Sequence, residues 1–204
     1  MRVKSDEKRQ AIIDVAAQTF QELGFEGASM SEICSRVGGS KATLYNYFAS
    51  KEDLFFEVMF QSADKEFEAV HDLLTTGELD VSDTLRRFGE GLMKILYAPE
   101  VVAARRLIIA ESGRSELGRR CYERGPAMAD ALIGGFLSRK MELGKLRRSD
   151  PHYAACHFRG LLEAELYDRF MLGVINKIST KELKQIVERA VSVFMAAYGP
   201  VFSI

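Results

Sequence analysis

Apolar residues recur at helical spacing along almost the whole chain. Ile12, Ile13, Ala16, Phe20 and Leu23 form one stripe that ends at Gly24, and glycine readily takes the left-handed geometry that stops a helix. Ser29-Met30-Ser31-Glu32 is a capping box, in which serine and glutamate side chains satisfy each other's backbone N–H groups. It opens a short helix with Met30, Ile33 and Val37 on its apolar face, closed by Gly38-Gly39. Ser40 caps a third helix with Leu44 and Phe48 inward, and Ser50 caps a fourth carrying Leu54, Phe55, Val58 and Met59 as far as Thr75-Thr76-Gly77. Further helices are predicted over 81–97, stopped by Pro99, and over 101–111, stopped by Ser112-Gly113. The stretch 116–143 contains Gly125-Pro126 and Gly134-Gly135 and should be kinked or split. Asp150-Pro151 opens a helix over 150–172, and the capping box Ser179-Thr180-Lys181-Glu182 opens a last one to about Tyr198. No segment alternates as a strand does, so the fold class is all-α.

Two helices across a tight glycine turn, 29–47, are the geometry that places the second in a DNA major groove, although plain helical hairpins share it. The outer face of the second helix distinguishes the two. With Leu44 and Phe48 inward, Ala42, Thr43 and Asn46 point outward and Tyr45 and Tyr47 flank the core. That face carries no carboxylate. From Ile33 to Lys51 the charged residues are Arg36, Lys41 and Lys51, all basic, in a chain of 28 basic and 29 acidic residues and net charge −1. The overall balance excludes a globally basic nucleic-acid coat; the local one suits phosphates. The helix starts at Ser29 and Ser40 add backbone N–H donors.

These residues resemble a known family. Gly24-Phe25-Glu26-Gly27-Ala28-Ser29-Met30-Ser31-Glu32-Ile33, then Val37 to Phe48, then Ser50-Lys51-Glu52-Asp53-Leu54-Phe55, are similar to the DNA-binding domain of TetR-family transcriptional regulators over residues 9–59. The run Thr43-Leu44-Tyr45-x-Tyr47-Phe48-x-x-Lys51-x-x-Leu54 is the most specific part. Gly39 stands where the family more often has Val, and Cys34 where Ala is usual. The resemblance implies a helix-turn-helix domain over 1–68. In it Ser29 and Ser31 meet phosphate or a nearby base, Lys41, Ala42 and Thr43 enter the groove, and Ser40 belongs to the same DNA-binding set. Tyr45 and Tyr47 press on the backbone, Asn46 reaches a base edge, and Lys51 grips a phosphate. Arg2, Lys4, Lys8 and Arg9 form an amino-terminal arm for phosphate or minor-groove contact, diluted by Asp6 and Glu7.

For residues 69–204 the resemblance implies a ligand-binding and dimerisation domain. Arg106-Leu107-Ile108-Ile109-Ala110-Glu111-Ser112, Glu116-Leu117-Gly118 and Tyr122 are similar to the effector domains of AcrR-type members. Candidate pocket residues are Phe88, Met93, Tyr97, Leu107, Tyr122, Met128, Phe136 and His157, which suit an ordinary core equally well. Arg105, Arg106 and Arg114 suit an acidic ligand or plain solvation. Ala154, Phe158, Leu161, Leu162 and Leu166 form one apolar stripe; Cys156, Gly160, Ala164, Tyr167 and Met171 form a second that needs its own cover. With Val187, Val191 and Phe194 of the last helix, the second stripe is the candidate interface of a homodimeric four-helix bundle.

The chain of 204 residues is 47% apolar and 28% charged, the balance of a folded protein rather than a disordered one. Three scattered cysteines, Cys34, Cys121 and Cys156, make no disulfide framework. No apolar run approaches the ~18 residues of a membrane span, and the charged start argues against a leader, so a cytoplasmic protein is expected. His152 and Cys156 share a helix face without further ligands, Glu163 and Glu165 point apart, and no catalytic loop is present, so no metal, cofactor or enzyme activity is expected. The whole reads as a DNA-binding regulator, a repressor that binds a palindromic operator as a homodimer and answers to a small-molecule effector of unknown identity. The alternative is an activator or ligand-independent regulator of the same fold.

Overall fold

A computed structural model describes residues 2–75 and 80–200, with the side chains of 2–4 and 65 excepted. The Arg2 and Lys4 side chains and the break expected at residues 76 and 77 lie outside the described residues. Every element found among them is helical, as the periodicity requires. The chain divides into two compact units, Met1–Asp64 and Lys65–Ile204.

The first unit contains α1 (Arg2–Gly27), α2 (Met30–Val37), α3 (Lys41–Tyr47) and the start of α4 (Lys51–Thr75). The stop expected at Gly24 is instead a kink: its backbone leaves helical geometry (φ 69°, ψ 172°) and one further turn follows. Ile12, Ile13, Ala16 and Phe20 of α1 are buried against Met30, Ile33, Leu44, Phe48, Leu54 and Val58. Phe20, Phe25 and Phe55 meet ring to ring, with centroids 5.0–6.0 Å apart. A carboxylate joins the core as well, for Glu57 is buried and takes a 2.7 Å hydrogen bond from Arg9.

Seven helices are described in the second unit: α5 (Val81–Leu96), α6 (Pro99–Glu111), α7 (Leu117–Arg124), α8 (Pro126–Glu142), α9 (Pro151–Glu163), α10 (Tyr167–Met171) and α11 (Thr180–Tyr198). α5 ends at Leu96, ahead of Pro99, and Pro99 and Pro126 each open the next helix, since a first-turn proline gives up no hydrogen bond. The stretch 116–143 splits at Gly125, but Gly134-Gly135 stays helical, and α9 passes close by: a Cβ on Gly134 would sit 3.4 Å from the Pro151 carbonyl. The 150–172 helix ends early, at Glu163. There Glu163 is tied to Arg105 (2.6 Å) and Tyr97 (3.2 Å), while Glu165 is tied to Arg189 of α11 (2.9 and 2.6 Å). Two neighbouring carboxylates held by different helices fix the break.

α9 packs between α8 and α11, and α11 also packs on α5. Phe88, Phe158, Phe194 and Tyr198 run through that core as a chain of ring contacts. Asp130 of α8 is 3% exposed and takes two hydrogen bonds from Arg159 of α9, at 2.8 and 3.0 Å. The pairing raises the Arg159 pKa against the opposing effect of burial. α5 approaches its neighbours through Gly89, where a Cβ would lie 2.9 Å from both Leu162 and Val187. Gly89→Ala is therefore expected to destabilise the protein by about 1–3 kcal/mol despite alanine's better helix propensity. Chemical denaturation checks this, and a neutral or stabilising result contradicts the close packing.

Candidate nucleic-acid interface

The helix-turn-helix is assembled by three local devices. The Ser29 hydroxyl accepts the Glu32 N–H at 3.1 Å and so caps the start of α2, while the Glu32 carboxylate accepts from Arg36. Gly38 ends it with φ 72°, a left-handed geometry that a side chain would strain, and its N–H bonds the Cys34 carbonyl. The Ser40 hydroxyl accepts the Thr43 N–H at 3.1 Å and lies 2.9 Å from the Thr43 hydroxyl, starting α3. The Cys34 thiol spans the turn to the Gly39 carbonyl at 3.1 Å. A Cβ at Gly39 would meet only the Lys8 ammonium, 3.9 Å away, and φ there is not positive, so the departure from the family pattern carries no backbone requirement.

Leu44 and Phe48 are each 3% exposed. Their burial fixes the rotation of α3 and leaves Lys41, Ala42, Tyr45 and Asn46 exposed, with Thr43 half-buried. Tyr47 packs partly against the core. Ser29, Ser31 and Ser40 are exposed. No carboxylate lies on α3. The α3 surface thus offers one ammonium, a methyl, two hydroxyls and an amide, the groups that meet phosphate and base edges in a major groove.

Two of the three expected cations do not belong to that surface. Lys51 donates to the carbonyls of Phe25 (2.8 Å) and Ala28 (3.2 Å), and its ammonium lies 4.1 Å from the centre of the Phe25 ring. It closes the end of α1, where free carbonyls attract a cation, so it is not a free phosphate grip. Arg36 binds Glu22 (2.6 Å) and Glu32 (2.8 Å), and these bonds raise its pKa. Lys41 remains. Of the amino-terminal arm, Arg9 pairs with Glu57 inside the unit and covers the Phe48 ring, whereas Lys8 reaches the turn, 3.9 Å from where a Gly39 Cβ would stand. Lys8 is thereby brought to the turn at Gly39.

In the second unit two of the candidate pocket residues, Met93 and Tyr97, line one cavity. The others are spread over the unit: Phe88 and Phe136 are core, Tyr122 and Met128 are exposed, and Leu107 is half-buried. His157 is exposed and its Nδ1 meets the Tyr198 hydroxyl at 2.5 Å. Arg105 and Arg106 are engaged with Glu163 and the Phe170 carbonyl. Of the candidate dimer residues, Gly160, Ala164 and Tyr167 are exposed, Cys156 and Met171 half-buried. Val187, Val191 and Phe194 are at most 2% exposed and form the unit's own core against α5 and α9, so they cannot meet a partner. The outer face of α11 is Val193, Ala196 and Ala197 instead. Burial pushes the Cys156 thiol pKa up, with Asp130 3.6 Å away adding to the effect. No group of three or more metal-ligating side chains occurs among the described residues.

Comparison with known proteins fits this geometry. Residues 12–58 match the family model of bacterial regulatory proteins of the tetR family, and residues 83–200 match the carboxy-terminal domain of AefR-like transcriptional repressors. A TetR-family transcriptional regulator from Mesorhizobium loti MAFF303099 shares 31% identity and a TM-score of 0.82, covering 96% of this chain and 98% of that one. The flavonoid-responsive regulator FrrA shares 32% identity and a TM-score of 0.70, covering 97% and 100%. The HTH-type transcriptional activator FasR of Mycolicibacterium smegmatis is 35% identical over 75 residues, 37% of this chain. The regulator UidR of Escherichia coli K12 is 32% identical over 97 residues, 44% of this chain. These last two alignments span only 34% and 50% of the relatives' own lengths.

Lys51→Met is expected to lower unfolding free energy by about 1–3 kcal/mol, because two buried-side carbonyls lose a charged donor. Thermal and chemical denaturation measure it; unchanged stability would return Lys51 to the set of free cations.

Proposed function

The chain belongs to the TetR family of bacterial transcriptional regulators, and on that premise we propose a ligand-responsive repressor that binds a near-palindromic operator as a homodimer. DNA-binding regulation follows from the family itself. The observation that carries the proposal is the carboxylate-free outer face of α3, held outward by Leu44 and Phe48. Lys41, Ala42, Thr43 and Asn46 read the groove; Lys8, Ser29, Ser31 and Ser40 meet phosphates; Tyr45 lies along the backbone. Operator DNA puts the protein in the cytoplasm.

The α9 face Tyr153, His157, Gly160 and Ala164, with Val193, Ala196 and Ala197 of α11, supports the dimer. Tyr153 is 62% exposed and Val193 53% exposed, large apolar side chains that a partner helix pair would cover. Two such faces make a four-helix bundle, and half-sites then fall about 34–36 Å apart. Repression is supported by the AefR-like match over 83–200, and effector control by the likeness to FrrA. An effector that prefers one spacing of the paired recognition helices releases the operator. α4, beginning at Lys51 and ending at Thr75, is the covalent path between the units. The name of FasR favours a second reading, activation, and transcription from the operator with and without the protein separates the two.

Selection of duplexes from random sequence is expected to return a near-palindrome. Thr43→Ala should cost about 1–3 kcal/mol on that operator. Lys41→Ala should weaken all duplexes alike and lower the salt slope by about 1. Wild-type binding by both variants would remove α3 from the interface. Gly160→Leu has open space in the single chain, so it should leave the fold intact and give monomers by light scattering; an unchanged dimer contradicts the α9 packing.

A further inference from the structure

A pocket of about 220 Å³ lies in the second unit, between the end of α5, the start of α6 and the segment leading into α11. Its volume is below the ~300–1,000 Å³ of sites for drug-sized ligands, and suits a molecule about one ring in size. The floor is apolar: Met93, Tyr97 and Leu183 are buried residues and Ile178 is half-buried. The rim is cationic, with Lys94 from α5 and Lys177 from the segment before α11, both exposed. No carboxylate lines the pocket, in a chain with 29 acidic residues. Neither lysine has a carboxylate within ion-pair distance among the described residues, although surface cations elsewhere in this unit, such as Arg86, Arg119 and Arg189, are paired.

We propose that this pocket binds a small organic carboxylate, with the apolar body on Met93, Tyr97, Ile178 and Leu183 and the carboxylate between the ammonium groups of Lys94 and Lys177. An apolar floor beneath unpaired donors of one sign is the division of labour of a small-ligand site: burial supplies affinity and the charges fix orientation. The pocket is also connected. Tyr97 forms part of the floor, its ring meets Phe170 of α10 at 4.7 Å, and its hydroxyl donates to Glu163 at 3.2 Å. Burial holds that hydroxyl protonated by pushing its pKa up. Glu163 in turn holds Arg105 at the break between α9 and α10. A ligand seated on Tyr97 therefore bears on the junction that follows the proposed dimer helix. Only this regulatory consequence rests on the ligand-responsive reading; occupancy of the pocket does not.

Benzoate is the probe, with benzamide as its uncharged counterpart, titrated calorimetrically into the full chain without DNA. Benzoate is expected to bind with Kd of about 1 mM or tighter and to move the Ile178 methyl resonances. Benzamide should bind about tenfold more weakly. The double variant Lys94→Gln, Lys177→Gln, whose changes are at exposed positions, should lose about tenfold for benzoate and nothing for benzamide. No benzoate uptake by the folded protein, equal binding of the two probes, or an unaffected double variant overturns the assignment. Operator binding is measured separately: a chain that binds its operator and ignores benzoate has lost this site alone. One that takes up benzoate and no duplex has lost the regulator reading alone.

Discussion

The burial of Leu44 and Phe48, one turn apart on α3, is the contact on which the DNA-binding half depends. A helix of seven residues is far too short to persist alone, since nucleation costs more than so few hydrogen bonds return. α3 exists because Ser40 caps it and because two side chains, each contributing about 1.5–3 kcal/mol on burial, anchor it to α1, α2 and α4. The same anchoring sets which residues face outward. Position in the fold and availability to DNA are thus one decision, made by the apolar side of the helix.

Charge in this unit serves the fold before it serves a ligand. Arg36 is neutralised by Glu22 and Glu32, Arg9 by Glu57, and Lys51 caps the end of α1. What remains near the tip among the described side chains is modest, Lys41 with Lys8 beside the turn. Recognition by the proposed surface would lean on close fit, hydroxyls, an amide and backbone N–H groups more than on a dense positive field. That agrees with a chain whose net charge is −1.

The second unit is organised by close approach and by polar ties. Gly89 lets α5 sit against Leu162 and Val187, and Asp130 with Arg159 locks α8 to α9. Removing Arg159, itself partly exposed, would strand the Asp130 carboxylate in the core, a loss far larger than the net worth of the pair. Around the α9 break, Tyr97, Glu163, Arg105 and Arg189 tie four helices through side chains rather than backbone.

Much of the first unit was legible in the sequence because its signals are local. Capping boxes, the left-handed Gly38 and the i, i+4 pair Leu44 and Phe48 act within a few residues, and the helices follow them. The Arg36–Glu32 pair also stands at i, i+4 spacing, whereas Glu22 lies fourteen residues away and only packing brings it near. Lys51 reads as a free phosphate ligand from its place in a motif, yet its partners are carbonyls more than twenty residues distant. Likewise the apolar arc of α11 is visible in the sequence, but not which part of it faces inward: α5, through Gly89, covers Val187, while Val193 is left outside. Periodicity and capping, being short-range, determined the helices and the outer face of α3. The ownership of each charge, the break after Glu163 and the pocket beside Tyr97 depend on residues far apart in the chain, and only the tertiary structure decided them.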